Sequence, residues 1–356
     1  MVPLLTEEQI RKAKTSSKKP ESIEAQRLNV RYNVEHPLME GRVERFLEAF
    51  GTILKHSSYG VVLDHYLRMS AKCARCAMSC MLYEATGDPK DVPCHRSALL
   101  LDIYRRHFTI AGNLQARLLG QPGLTEKTIE EMADSFWNCT ACRKCVLECP
   151  AGIDHGLMTH LGRYILSEVG IVPRALTVSV REQLEGNTGN TSGIPLAAMK
   201  DSIEFLEEEI EEDKGVQVKF PLDKENAEFL FFAPVSDYMM EADTLAGIAA
   251  VLHVTGASWT IGSKNYDGIN YGLFYNDRLM DRILNGITDE LKRLNAKKIL
   301  IGECGHASRT AKAFVNTFCG GKEAPEIVSI LEYTHAAFKA GRLKLDPNVI
   351  TERVTY

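Results

Sequence analysis

The run FWNCTACRKCVLECPAGID, with Cys139, Cys142, Cys145 and Cys149 followed by Pro150, constrains this chain more than any other feature. A CxxCxxCxxxCP spacing lets one tight turn present three thiolates to three corners of a cubane [4Fe–4S] cluster and directs the fourth to a second cluster. Four more cysteines precede it. KCARCAMSC holds Cys73, Cys76 and Cys80 as CxxCxxxC, and Cys94 follows after 13 intervening residues in DVPCHRS. Zinc would favour two separated CxxC pairs around one tetrahedron, whereas eight thiolates divide into two cubanes of four. The candidate metal-ligating residues are therefore Cys73, Cys76, Cys80, Cys94, Cys139, Cys142, Cys145 and Cys149. The irregular first group leaves their sharing open. If the outlying ligands are exchanged, Cys73, Cys76 and one further cysteine of that group join Cys149, and the remaining one completes Cys139, Cys142 and Cys145. The alternative keeps Cys94 as a buried core thiol, with a non-cysteine ligand completing a cluster. Arg143 and Ala77 stand where loops of this kind often carry glycine.

The rest of the composition narrows the function. Of 356 residues, 45% are hydrophobic and 25% charged, enough for about two globular cores. A formal net charge of -5 offers no broad basic surface for a nucleic-acid backbone. No stretch of 18 apolar residues occurs, and charges enter MVPLLTEEQIRKAK too early for a signal peptide. Reduced, clustered thiols and this N-terminus lead us to expect a cytoplasmic protein without a span of its own.

Helical spacing places Phe46, Leu47, Phe50, Ile53 and Leu54 on one face, and VVLDHYLRM, LLLDIYRRHF and the segment from Leu124 to Met132 also read as helices. An α+β multidomain chain is expected: an N-terminal extension over 1–41, an all-α domain over 42–180, a linker with an acidic helix over 181–226, and a parallel-sheet α/β domain over 227–356. EGNTGNTSGIP supplies the loop of that linker. In its helix, Ile203, Leu206 and Ile210 form an apolar stripe beneath the solvated run EEEIEED. From residue 227, EFLFFA, SWTIG, KKILIG, EIVSI and VITERVTY read as strands alternating with helices.

Cys304 follows KKILIG and opens a helix, so it lies at the carboxyl end of a parallel strand and near a positive helix terminus. Both features favour thiolate, and Glu303 and His306 flank it as candidate catalytic neighbours. Cys319 reads as an ordinary helix stop, and His155 and His160 as core or surface residues.

The paired cysteine motifs, YEATGDPKDVP and GECGHASRT resemble the D-subunit type of heterodisulfide reductase, and within it the K subunit of the dissimilatory sulfite-reduction membrane complex. The resemblance covers roughly residues 40 to 356. It implies a helical ferredoxin domain with two [4Fe–4S] clusters, then CCG-type α/β domains. It also implies a membrane cytochrome b-like partner passing electrons from quinol, a small sulfur-carrier protein as acceptor, and a peripheral place at the cytoplasmic membrane. The catalytic cluster of such proteins is held by CCG cysteines. Here the first strand ends in APVS, the CCG position reads Tyr266, Asp267, Gly268, and only Cys304 remains. Where ITERVTY stands the family continues into a second domain, so the chain looks truncated and a further catalytic cluster is expected only in a complete protein. Competing readings are the iron–sulfur subunit of a glycolate or lactate oxidation system and a non-catalytic relay scaffold.

Overall fold

The computed structural model describes residues 6–9, 11, 40–319, 324–346, 348–350 and 352. They divide into two compact units, residues 1–177 with 274–276, and 178–273 with 277–356.

The first unit is helical: α1 (Arg42–Lys55), α2 (Tyr59–Met69), α3 (Met81–Thr86), α4 (Pro93–Phe108), α5 (Ile110–Leu118), α6 (Glu126–Trp137), α7 (Lys144–Glu148) and α8 (His155–Glu168), with 3₁₀ turns at Arg75–Ser79 and Pro89–Asp91. Local chemistry sets the boundaries. Pro93 starts α4 at a position where its missing N–H costs nothing. Thr109 separates α4 from α5 and caps α5 by accepting from the Gly112 amide at 3.1 Å. Asp154 caps α8 through the Leu157 amide at 2.9 Å. Phe46, Phe50, Leu63, Leu100, Ile129, Phe136 and Ile165 are completely buried in one core, with α8 against α1, α4 and α6. Each such side chain contributes about 1.5–3 kcal/mol of burial.

Among the described residues the second unit is built on a four-stranded all-parallel sheet, β1 (Phe229–Phe232), β2 (Trp259–Ile261), β3 (Lys298–Ile301) and β4 (Glu326–Ser329), in the order β2-β1-β3-β4. Phe229 is in register with Trp259 on one side and Lys298 on the other. The unbroken FLFF is buried throughout, as a strand covered on both faces must be. Helices α11 (Val235–Met239) and α12 (Ala242–Val254) join β1 to β2, α13 (Asp277–Arg293) leads to β3, α14 (Gly305–Phe318) joins β3 to β4, and α15 (Ile330–Lys339) follows β4. Chain connections leave β1 and β3 in opposite directions, so a crevice opens at their carboxyl ends. Ser329 and Glu332 form a reciprocal capping box at α15.

Two expectations need correction or qualification. The 181–226 segment, expected as a linker, begins within α9 (Arg174–Glu185), carries α10 (Leu196–Lys214) and packs into the second unit. Met199, Ile203, Leu206, Val218 and Phe220 belong to the core of the second unit. Its loop is pinned too: the Asn190 amide group donates to Ile194 O at 2.8 Å, and the Thr191 hydroxyl donates to Asp267 at 2.7 Å. The expected strand VITERVTY lies largely outside the described residues, as does most of the 1–41 extension.

Candidate iron–sulfur centres

The Arg75–Ser79 turn packs against α7, which sets the two cysteine groups beside each other. Left-handed backbone at Ala74, Ala141 and Arg143, φ 60°, 53° and 62°, coils the loops around their cysteines. Arg143 thus adopts the conformation usually given to glycine, at a cost of about 1–2 kcal/mol. It ion-pairs with Asp154, the cap of α8. Ala77 instead lies inside the 3₁₀ turn.

Backbone amides point at sulfur. Cys94 N–H donates to Cys76 Sγ at 3.3 Å, Ala141 N–H to Cys139 Sγ at 3.3 Å, and Ile153 N–H to Cys149 Sγ at 3.4 Å. Cys76 and Cys94 are both buried, and they share one interaction. It raises the Cys76 thiol and lowers that of Cys94. Cys80 points its thiol toward Asp91 O at 3.7 Å, and its charge interacts with that of Cys139.

Two fully enclosed guanidinium groups face these sulfurs. Arg96, one turn into α4, donates to Ser135 O at 2.9 Å and Asp91 O at 3.0 Å. Burial lowers its affinity for the proton, but thiolate charge at Cys139, Cys80 and Cys145 more than restores it. Arg163 of α8 donates to Phe136 O at 2.8 Å and to Cys139 O, satisfying carbonyls left open where α6 ends. At Cys139, burial works to raise the thiol, yet Arg96, Arg163 and the Ala141 amide hold it below its ordinary value. At Cys145 burial wins and pushes the thiol to about 12 without a bound cation. Sequence reasoning missed both arginines. Their signal was a lone Arg in each of the buried stretches HRSALLL and HLGRYIL.

Among the described residues no three His, Cys, Asp or Glu side chains converge as the ligands of a single ion. The donor set instead offers thiols spread over two adjoining turns, amides on sulfur and buried cations to offset thiolate charge, and it fits cubane clusters. His155 is a core residue, as expected. Its Nδ1 lies 2.7 Å from Ser97 Oγ, and burial followed by Arg96 drives its imidazole to about 4. His160 is buried as well.

The sheet crevice has the opposite character. Cys304 caps α14, its sulfur accepting from Ala307 N–H at 3.4 Å. The expected thiolate is not favoured: burial raises the thiol, carboxylates of Asp267 and Asp237 add to this, and the amides of Ala307 and His306 only partly offset them. His306 faces the sulfur through its backbone amide, and Glu303 is exposed beside it. Asp267, in the Tyr-Asp-Gly position, is wholly buried and accepts from Thr191 N–H and Ile269 N–H, both at 2.9 Å. Asp237 was not foreseen. Burial raises its carboxyl to about 6, and its Oδ2 and the neighbouring Tyr238 hydroxyl are buried without hydrogen-bond partners. Cys319 ends α14, its N–H bonded to Val315 O.

Residues 71–153, which include all eight clustered cysteines, match the family model of the 4Fe-4S dicluster domain. The chain is similar to iron–sulfur subunits of the heterodisulfide reductase D-like type. It is 32% identical over 287 residues to the Hdr-like menaquinol oxidoreductase iron-sulfur subunit 2 of Archaeoglobus fulgidus, a match covering 79% of this chain and 51% of that protein. The corresponding iron-sulfur subunit of Archaeoglobus profundus is 31% identical, covering 80% and 52%. The D-type subunit of the dihydromethanophenazine:CoB–CoM heterodisulfide reductase of Methanosarcina barkeri is 23% identical, covering 80% and 66%. The chain thus spans about half the length of the first two curated relatives. No solved structure matches it.

Proposed function

We propose that the chain carries two [4Fe–4S] clusters and is the electron-transfer subunit of a quinol-linked, heterodisulfide reductase-like complex. In this reading residues 42–180 are a helical ferredoxin domain and the α/β unit is a CCG-like domain. Bound clusters would supply one-electron carriers. Cys139, Cys142, Cys145 and Cys80 would hold one, and Cys73, Cys76, Cys94 and Cys149 the other. The observation that carries this division is the pairing of Cys94 N–H with Cys76 Sγ, which sets those two cysteines together and leaves Cys80 for the other set. Arg96 and Arg163 offset the thiolate charge of the first set, and amides on sulfur stabilise the charged form of the ligands. A cytochrome b-like membrane protein is the proposed donor and a sulfur-carrier disulfide or trisulfide the proposed acceptor. No described helix is long and apolar enough to cross a membrane, which suits peripheral attachment through such a partner.

A single Cys304 among carboxylates holds neither two electrons nor a half-reduced thiyl species, so reduction of a disulfide requires residues beyond those of this crevice. Anaerobically purified protein tests the cluster assignment. Roughly eight iron and eight labile sulfide per chain are expected from four of each per cubane. Cys94→Ser and Cys80→Ser should alter different EPR signals. Zinc without sulfide would overturn the reading, and unchanged signals in Cys94→Ser would return that residue to the core.

A further inference from the structure

Helix α5 turns its small residues inward and its large apolar ones outward. Gly112 and Ala116 are buried against α4, so close that a Cβ at Gly112 would meet Arg105 O at 2.1 Å. Backbones packed this closely leave α5 no room to roll. Ile110, Leu114 and Leu118, one per turn, are therefore held outward at 92%, 58% and 77% exposure, and Leu119 extends the strip. Exposed leucines scattered singly would mean nothing, but three at one per turn on a fixed face, with Leu119 just past the helix end, form a patch.

The charge around the patch identifies its partner. From Ile103 to Thr125 the chain has Arg105, Arg106, His107 and Arg117 and no carboxylate, within a protein whose net charge is -5. At the foot of α5 a cavity of about 380 Å³ opens between the end of α4 and residues 121–124, lined by Lys72, Arg105, Arg106 and His107. Asp102 also lines it and is paired with Arg105 at 3.2 Å. His107 Nε2 is buried there without a hydrogen-bond partner. An apolar strip beside a basic hollow with a spare imidazole nitrogen matches the boundary between acyl chains and anionic headgroups.

We propose that α5 lies on an anionic lipid surface, with Ile110, Leu114 and Leu118 entering the acyl boundary and the Lys72–His107 hollow receiving a headgroup phosphate. This contact is independent of the redox reading and direct, in addition to any protein partner. The test is sedimentation of the full, cluster-loaded chain with phosphatidylcholine vesicles, with and without phosphatidylglycerol. Binding is expected only to the anionic vesicles and should weaken with salt. Leu114→Glu and Leu118→Glu, at exposed positions, should each weaken it by about tenfold or more, and Arg117→Gln by a few-fold. Ile110→Asn gives a further variant outside the packed face, and circular dichroism and iron content should be unchanged in all four. Absence of binding to anionic vesicles, or equal binding by the Leu→Glu variants, overturns the proposal. So does light scattering that shows a dimer which Leu114→Glu converts to monomer, since the strip would then belong to a second copy.

Discussion

Cys139 and Cys304 are both half-buried at turns that open onto backbone amides, yet their surroundings push the two thiols in opposite directions. Around Cys139 the enclosed charges are Arg96 and Arg163; around Cys304 they are Asp237 and Asp267. Burial raises a thiol in either place, so the sign of the enclosed neighbours decides the outcome. The helical unit is prepared for thiolate ligands and the crevice for neutral, protonated groups.

Removing the cation should break this contrast most severely. Arg96→Met strands the carbonyls of Ser135 and Asp91 and leaves thiolate charge uncompensated, so a loss of about 3–5 kcal/mol in denaturant unfolding is expected, together with depleted iron. A variant with full iron content and stability within about 0.5 kcal/mol of wild type would show that Arg96 is not the counter-charge.

Packing gives the next largest difference. A Cβ at Gly162 in α8 would lie 2.0 Å from Phe136 Cε1, whereas one at Gly305 beside Cys304 meets nothing within 4 Å. Gly162→Ala should cost about 2–3 kcal/mol and Gly305→Ala less than about 0.5. Equal effects would mean that the crevice is as tightly packed as the cluster-bearing core.

The acid side is sharpened by pH. The folded chain holds the Asp237 proton up to about 6, against an ordinary value of 3.8. This group's stabilising contribution is therefore complete below 3.8 and is lost as pH rises through 6. Asp237→Asn should remove that loss, gaining about 1–2 kcal/mol at pH 8 relative to its effect at pH 3.5. A pH-independent difference between variant and wild type would contradict it. The smallest effect is kinetic: iodoacetamide should label Cys304 at pH 8 a few-fold faster in Asp237→Asn than in wild type, because one opposing charge is gone. An unchanged rate would detach Asp237 from the thiol.

What the sequence revealed follows from what a one-dimensional pattern can encode. FLFF and the ILI of β3 announce covered parallel strands by unbroken apolarity, and Ile283, Ile287 and Leu291 announce the buried face of α13 by spacing. The two cysteine groups were visible because CxxC spacing is itself local geometry. Arg96 and Arg163 were hidden because a buried cation is specified by sulfurs and carbonyls dozens of residues away. The loop at 185–195 misled for the related reason that Asn, Thr and Gly describe irregular backbone but not its burial, which Tyr266 and Asp267 provide. Cys304 misled in sign: helix position was legible, while the carboxylates that oppose it came from other loops.

Cys94 sits in the first turn of a 16-residue helix, while Cys73, Cys76 and Cys80 ride on short turns. A sulfur mounted on α4 takes its position from the hydrophobic core beneath that helix and not from the number of residues separating it from Cys80. The tip of the connection at Gly87–Pro89 could thus gain or lose residues over generations while the sulfur stays in place. Cysteine sets of this kind can drift out of regular motif spacing without losing their geometry, and counting residues between cysteines will overlook them.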